Sequence, residues 1–300
     1  MISRTVRERL NAAPGTLRGM GCMLVATLLS AGMVACARHV SKEIHPFEIT
    51  FFRSLFGLLV FAPVFVRHGW APLRTHRLHL HACRGVIHVT ATMLFFLAVS
   101  MSPLAKMTAV FFSAPLFAGL LAILILRETA HARRIGAITA GFAGAIIVIH
   151  PGEGEVDVGA LVMLVSAALW GFGLLVIKVL SRTESSLTTT VYMGFFMTPI
   201  ALIAAVPYWE TPNWTQFGWL AAVGCLGGVN HLFLAQAFKE ADMTAVLPFD
   251  FTRLIWAAIL GYLAFAEIPE VWTWLGGTLI FVSATYISVR EGKARAATAR

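Results

Sequence analysis

Residues 105–115 read AKMTAVFFSAP, and residues 241–251 read ADMTAVLPFDF; five of the first six residues are identical at a lag of 136. Each copy opens an apolar run that closes on a glutamate, Glu128 in the first and Glu267 in the second. A glycine follows eight or nine residues later, Gly136 and Gly276. At a lag of 140, Arg38 and Lys178 end two further apolar runs at matching places. One short match between apolar helices is uninformative, but an ordered series at a nearly constant lag marks an internal repeat.

The repeated unit is built for a bilayer. Of 300 residues, 58% are hydrophobic and 13% charged, where a soluble globular chain carries roughly 25% charged residues. The mean hydropathy is +0.78. Most apolar stretches run about 20 residues without a polar face, the length that crosses the hydrocarbon region. Ten such spans are expected: 17–37, 46–66, 80–100, 103–126, 134–150, 157–179, 186–207, 216–238, 243–265 and 271–289. The span at 134–150 is short and needs an upright setting or a thinner bilayer. The sequence thus divides into a tail (1–16), five helices (17–150), five more (157–289) and a second tail (290–300). Residues 1–35 with Ala35-Cys36-Ala37 imitate a cleavable leader, but the first span has a partner in the second half and is expected to stay. Cys22, Cys36, Cys83 and Cys225 lie in apolar spans without CxxC spacing, which suggests neither a disulfide framework nor a zinc site.

With both termini in the cytoplasm, seventeen of the 23 Lys and Arg residues fall on the cytoplasmic side and two, Arg38 and Lys42, on the other. Four more (Arg53, Arg84, Lys106, Arg253) lie within spans. The outer loops carry Glu153, Glu155, Asp157, Glu210 and Glu270 instead. This is a strong positive-inside pattern, expected of a multi-pass protein of a bacterial-type inner (plasma) membrane. The net charge of +8 therefore reads as topology and contact with anionic lipid, not as nucleic-acid binding.

Five spans per half place the two halves in opposite orientations, an inverted repeat. Such halves can exchange conformations, giving outward- and inward-open states around a site near the midplane. The fold expected is an all-α integral membrane protein of ten transmembrane helices in two inverted five-helix repeats. At FFRSLFGLL (51–59), PLAKMTAVFFSAPLFAGLLAILILRE (103–128), GFAGAIIVIHPG (141–152) and AFKEADMTAVLPFDFTRLIWAAILGYLAFAEIPEVWTWLGG (237–277), the chain resembles the drug/metabolite transporter superfamily, in its ten-span EamA type. The likeness covers about residues 17–290. It implies secondary transport of a small organic metabolite, such as an amino acid, a nucleotide-like compound, a vitamin such as riboflavin, an opine or a xenobiotic, in either direction. No GxxxxGK[ST] loop for ATP is present. The expected partners are a small-molecule substrate and the lipid bilayer, with a homodimer allowed; no cofactor, metal or nucleic acid is expected.

Charged groups inside a span cost about 2.5–3.5 kcal/mol each at a helix centre on insertion scales, so they face a cavity or a partner. Asp250 and Arg253, three apart, share one helix face with Ala257 and Gly261, and Pro248 loosens the helix just before them. They read either as an internal neutralising pair or as a site in which Arg253 holds an anion and Asp250 tunes it or takes a proton. Arg53 is the second candidate cation, with Glu48 five residues earlier. Lys106 sits within a turn of a span end and can snorkel. Trp170 beside two glycines, Asn230 with His231, and Phe51, Phe95, Phe111 and Phe249 are candidate lining groups, against plain packing roles. The patch His76, His79, His81 and His88 is interfacial; its spacing points the rings in different directions on a helix. Glu128 and Glu267 are repeat-related and suit a hinge or gate. The excess of in-span cations favours an anionic or zwitterionic substrate. A membrane-embedded enzyme would need a nucleophile or metal constellation that the spacing does not offer, and a passive channel would make no use of the alternation.

Overall fold

The computed structural model describes residues 15–60, 75–125, 127, 132–150, 157–180, 183–184, 186–241 and 243–298. Glu128, residues 1–14, residues 61–66 of the second expected span and the side chains of Lys178 and of residues 290–300 lie outside the described residues. What is described is helical: α1 (Gly15–Val40), α2 (Pro46–Leu59), α3 (Leu78–Met101), α4 (Leu104–Phe111), α5 (Ala114–Leu124), α6 (Ala132–Ile149), α7 (Val158–Leu180), α8 (Ser186–Ala205), α9 (Trp214–Glu240), α10 (Met243–Asp250), α11 (Thr252–Phe265) and α12 (Val271–Thr298). Among the described residues, seven helical segments are long and apolar enough to cross a membrane, and Val271–Ile287 is a shorter apolar one. Large apolar side chains such as Leu17, Ile146, Ile203 and Leu263 stand exposed on the outside of the bundle. That surface suits hydrocarbon and not water, so the chain is a multi-pass membrane protein.

Local chemistry sets the helix ends. Pro46 starts α2, where a missing N–H costs nothing, and His45 Nδ1 accepts the Phe47 amide at 3.3 Å. Asn213 and Gln216 cap α9 reciprocally: Asn213 Oδ1 accepts the Gln216 amide at 2.9 Å and Gln216 Oε1 accepts the Asn213 amide at 2.8 Å, a capping box. Two expected spans are broken. The run 103–126 divides at Phe112-Ser113, ahead of Pro115, into α4 and α5; the run 243–265 divides at Phe251, just after Pro248, into α10 and α11. Both breaks fall within the repeated stretch quoted above. α11 ends on Ala266 at φ 55°, a left-handed setting that glycine usually takes.

The helices pack pairwise: α1 on α9, α3 on α7, α2 on α8, α6 on α12, α8 on α3, α9 on α2, α5 on α7 and α11 on α1. Hydrogen bonds between helices join these contacts, a stabilising device where lipid competes for apolar surface. Ser166 donates to the Ala91 carbonyl at 2.7 Å, Arg84 to the Thr189 carbonyl at 2.6 Å, and the hydroxyls of Thr27 and Thr252 pair at 2.7 Å. A core of Phe96, Leu104, Met107, Leu116, Met163 and Leu254 fills the centre.

Candidate functional site

α1, α2, α3, α4, α7, α9 and α11 enclose a cavity of about 180 Å³. Its lining includes Arg53 from α2, Phe95 from α3, Phe111 from α4, Trp170 from α7, Asn230 and His231 from α9 and Arg253 from α11. Ser30, Met33, Thr92 and Thr108 also face it. A smaller cleft of about 40 Å³ lies next to it between α2, α8 and α9, and Arg53 and His231 line both. The α4 and α10–α11 breaks, with Phe111 and Arg253 beside them, put interrupted backbone at the cavity wall, where irregular backbone within a membrane protein is tolerated.

Charge is distributed unevenly in the cavity. Arg253 donates from Nη2 to Asp250 Oδ1 at 2.7 Å, across the Phe251 break, so its charge is largely balanced. Asp250 itself does not line the cavity. Among the described residues Arg53 has neither an acceptor at its buried Nε nor a carboxylate partner. Gly227 on α9 packs beside this side chain: a Cβ there would be in ordinary contact with Arg53 Nε at 3.8 Å and tight against Met33 Sδ at 3.0 Å. No acidic side chain is on the lining. The same lining carries a cluster of aromatic rings. Phe111 meets Phe95 at 5.1 Å and Trp170 at 5.4 Å, both edge-on, and Trp170 meets His88 at 4.8 Å between ring centroids. Such edge-to-face contacts fix ring orientation.

Not every candidate is here. Phe249 packs with Met23, Ala237 and Val246 in a separate apolar cluster outside the cavity. Phe51 packs against Phe52 and Trp209. Glu48 is fully buried, with Oε2 accepting the Glu210 amide at 3.2 Å. His81 lies 4.0 Å from Glu184, away from His88.

Glu267 is placed at one end of the bundle. Its Oε1 meets Arg38 Nη2 at 2.6 Å and its Oε2 accepts the Leu104 amide at 2.8 Å, the first turn of α4. Arg38 also donates to the carbonyls of Val99 and Ser102 at the end of α3. One charge pair thus ties α1, α3, α4 and the α11 terminus. Beside it, Lys106 does not simply snorkel but meets Asp157 Oδ2 at 2.8 Å, while Asp157 Oδ1 accepts the Ser102 hydroxyl at 2.6 Å and the Ala160 amide at 3.1 Å. The sequence reading missed Asp157 and Ser102 because their partner is distant in the chain. Burial pushes the Asp157 carboxyl up, but the Lys106 and Ser102 side chains and the Ala160 amide outweigh it and hold the group below its ordinary range. A carboxylate with a depressed folded-state pKa contributes stability above its unfolded pKa and loses it as pH falls through the folded one. The contribution is therefore complete at neutral pH and lost below about pH 4. Asp157→Asn is expected to lower thermal stability at pH 7 by on the order of 1 kcal/mol, and to make the loss between pH 5 and 3 shallower; identical acid melting curves for the two proteins would refute this.

A polytopic helical bundle with a largely apolar cavity between its helices, lined by interrupted helices and carrying in-span cations, has the build of a membrane transporter. Two family-model matches, residues 17–150 and 157–289, identify the chain as a member of the EamA-like transporter family. It is 27% identical over 278 residues to an S-adenosylmethionine uptake transporter of Rickettsia felis, covering 93% of this chain and 95% of that protein. It is 29% identical over 283 residues to a riboflavin transporter of Vibrio cholerae, covering 92% and 95%. A solved crystal structure covering 93% of this chain and 98% of its own shares the fold, with a TM-score of 0.60 at 18% identity. The chain is a transporter of the drug/metabolite superfamily, not an enzyme.

Proposed function

We propose that the chain is a secondary transporter that carries a small organic metabolite, anionic or zwitterionic, across a bacterial-type inner membrane by alternating access. The observation that carries this reading is a guanidinium, Arg53, without a counter-ion among the described residues, on a cavity lined by helices of both halves. Arg53 and Arg253 bind the anionic group, Trp170 and Phe111 hold the apolar part, and Asn230 and His231 orient it. The relatives named for S-adenosylmethionine and riboflavin support an organic substrate of the amino acid, vitamin or opine kind.

Ten spans in two inverted five-helix repeats, 17–150 and 157–289, are supported by the pairing of helices. Exchanging α1–α6 for α7–α12 turns the α1–α9 contact into α7–α3, α8–α3 into α2–α9 and α5–α7 into α11–α1, while α2–α8 and α6–α12 map onto themselves. The Lys and Arg distribution supports both termini in the cytoplasm. In that orientation Arg38–Glu267 and Lys106–Asp157 join helices at the outer end, which supports an outer gate there. Glu128, the counterpart of Glu267, is assigned the same duty at the inner end, and Asp250 is assigned the coupling proton.

The test is untargeted metabolite profiling of cells and medium with wild type, Arg253→Ala, Asp250→Asn and Glu267→Gln at matched membrane expression. A compound that shifts with wild type alone identifies the substrate and supports Arg253 in the site. Equal shifts with Arg253→Ala would make that residue structural, and no shift with wild type would count against metabolite transport. Accumulation against a gradient by Asp250→Asn would remove the coupling role, and unchanged exchange by Glu267→Gln the gating role.

A further inference from the structure

We infer that the cavity selects a compact anion built on a single planar ring, an aromatic or heteroaromatic monocarboxylate; this rests on the reading of the cavity as the substrate site. Three observations converge on that class.

The first is charge. The lining carries two guanidinium groups and no carboxylate, and Asp250 answers only the one on Arg253. One cationic charge, that of Arg53, is left uncompensated on the wall. Its Nε is sealed in protein, so its terminal nitrogens are the donors left for a ligand. The planar fork of a guanidinium matches the two oxygens of a carboxylate, and a single unbalanced cation in a low-dielectric site calls for a single negative charge. A compound of net positive charge has no carboxylate on the lining to meet it.

The second is shape. Phe95, Phe111 and Trp170 form a continuous aromatic wall with ring centroids 5.1 and 5.4 Å apart. Aromatic surface that shares a cavity with a guanidinium receives a molecule that is apolar at one end and charged at the other. Asn230 and His231 add polar donors and acceptors to the same lining.

The third is size. The cavity measures about 180 Å³. A cavity of roughly 150 Å³ takes one benzene ring, and drug-sized ligands occupy roughly 300–1,000 Å³. One ring with a carboxylate fits the cavity itself; a three-ring flavin or an adenosyl amino acid exceeds it and would have to extend into the adjoining cleft of about 40 Å³. The substrate would then differ from those for which the Rickettsia and Vibrio relatives are named.

The experiment uses the purified full-length chain in nanodiscs at pH 7, with binding followed by tryptophan fluorescence and by thermal shift. The probes are benzoate and nicotinate, their uncharged counterparts benzamide and nicotinamide, and riboflavin and S-adenosylmethionine. Each acid is expected to bind at least tenfold more tightly than its amide. Arg53→Gln is expected to erase that preference, Arg53→Lys to retain part of it, and Trp170→Phe to weaken acid and amide alike. Equal binding of acid and amide, tighter binding of riboflavin or S-adenosylmethionine, or no binding of any probe would overturn the inference. Those outcomes leave the transporter reading to the metabolite profiling. Tight binding of an acid that does not exchange in proteoliposomes would uphold the site and remove it as a transport substrate.

Discussion

Arg53→Met is expected to stabilise the ligand-free protein and to weaken substrate binding roughly 30-fold or more at the same time. Arg53 sits in α2, is sealed at Nε, and has no counter-ion among the described residues. A cation held in that way costs about 2.5–3.5 kcal/mol on insertion scales, and replacing a buried charge by an apolar side chain of similar volume is often stabilising. Methionine keeps the length of the stem and removes the charge. A gain on the order of 2 kcal/mol, a rise of a few degrees in melting temperature, follows for the apo protein. The substrate-dependent part behaves in the opposite way. Ligand at 100 times its Kd stabilises the wild type by about 2.7 kcal/mol, and losing one partner of a desolvated charge pair costs about 2–5 kcal/mol, or roughly 30-fold or more in affinity. The variant should therefore melt higher without substrate and show at most about a third of the wild-type rise with it. A structural guanidinium predicts the reverse, a lower melting temperature with substrate stabilisation kept. Differential scanning fluorimetry on both proteins, with the compound identified by metabolite profiling, separates the two.

The same logic explains which parts of the site were legible in the sequence. A charge or amide inside an apolar span is expensive, so Arg53, Arg253, Asn230 and His231 stand out without any knowledge of the fold, and all four line the cavity. Trp170 and Phe111 were visible because bulky rings next to glycine or within the repeat are unusual there. Phe249 was misplaced for a geometric reason. An unbroken helix would carry it on a face continuous with Arg253, but the helix stops at Asp250 and restarts at Thr252, and Phe249 turns to Met23 and Val246. The break in the first copy had its own signal in Ser113-Ala114-Pro115, which the identity of AxMTAV overshadowed. The charge pairs Arg38–Glu267 and Lys106–Asp157 were out of reach, because each joins helices far apart in the chain. Repeat symmetry was a guide to helix pairing more than to individual contacts. Gly136 and Gly276 correspond in sequence, yet a Cβ at Gly136 would meet open space.

Gly276→Val is expected to prevent the bundle from assembling, because Gly276 packs on Gly144 and not on its sequence counterpart. A Cβ at Gly276 would collide with the Gly144 carbonyl oxygen and lie 2.6 Å from Val148 Cγ2 and 2.9 Å from the Val148 amide nitrogen. Seen from the other helix, a Cβ at Gly144 would lie 2.8 Å from the Gly276 carbonyl oxygen and 3.0 Å from the Ile280 amide nitrogen. The obstacles are backbone atoms, which cannot swing aside as a side chain can. α6 and α12 are a principal helix pair, and in lipid, close backbone approach at small residues is a main source of helix association. Separating them gives up that packing while lipid supplies no hydrophobic penalty to hold them. Overpacking costs typically about 1–3 kcal/mol, occasionally more, so Gly276→Ala should lower the melting temperature and leave some folded protein. Valine adds branching at the same point and should leave little. Gly136→Val, on the same helix as Gly144 but in open space, serves as the control and should fold as wild type. Fluorescence-detected size exclusion of detergent extracts reads all three. A monodisperse Gly276→Val peak at wild-type height would mean that α6 and α12 do not cross where these glycines meet.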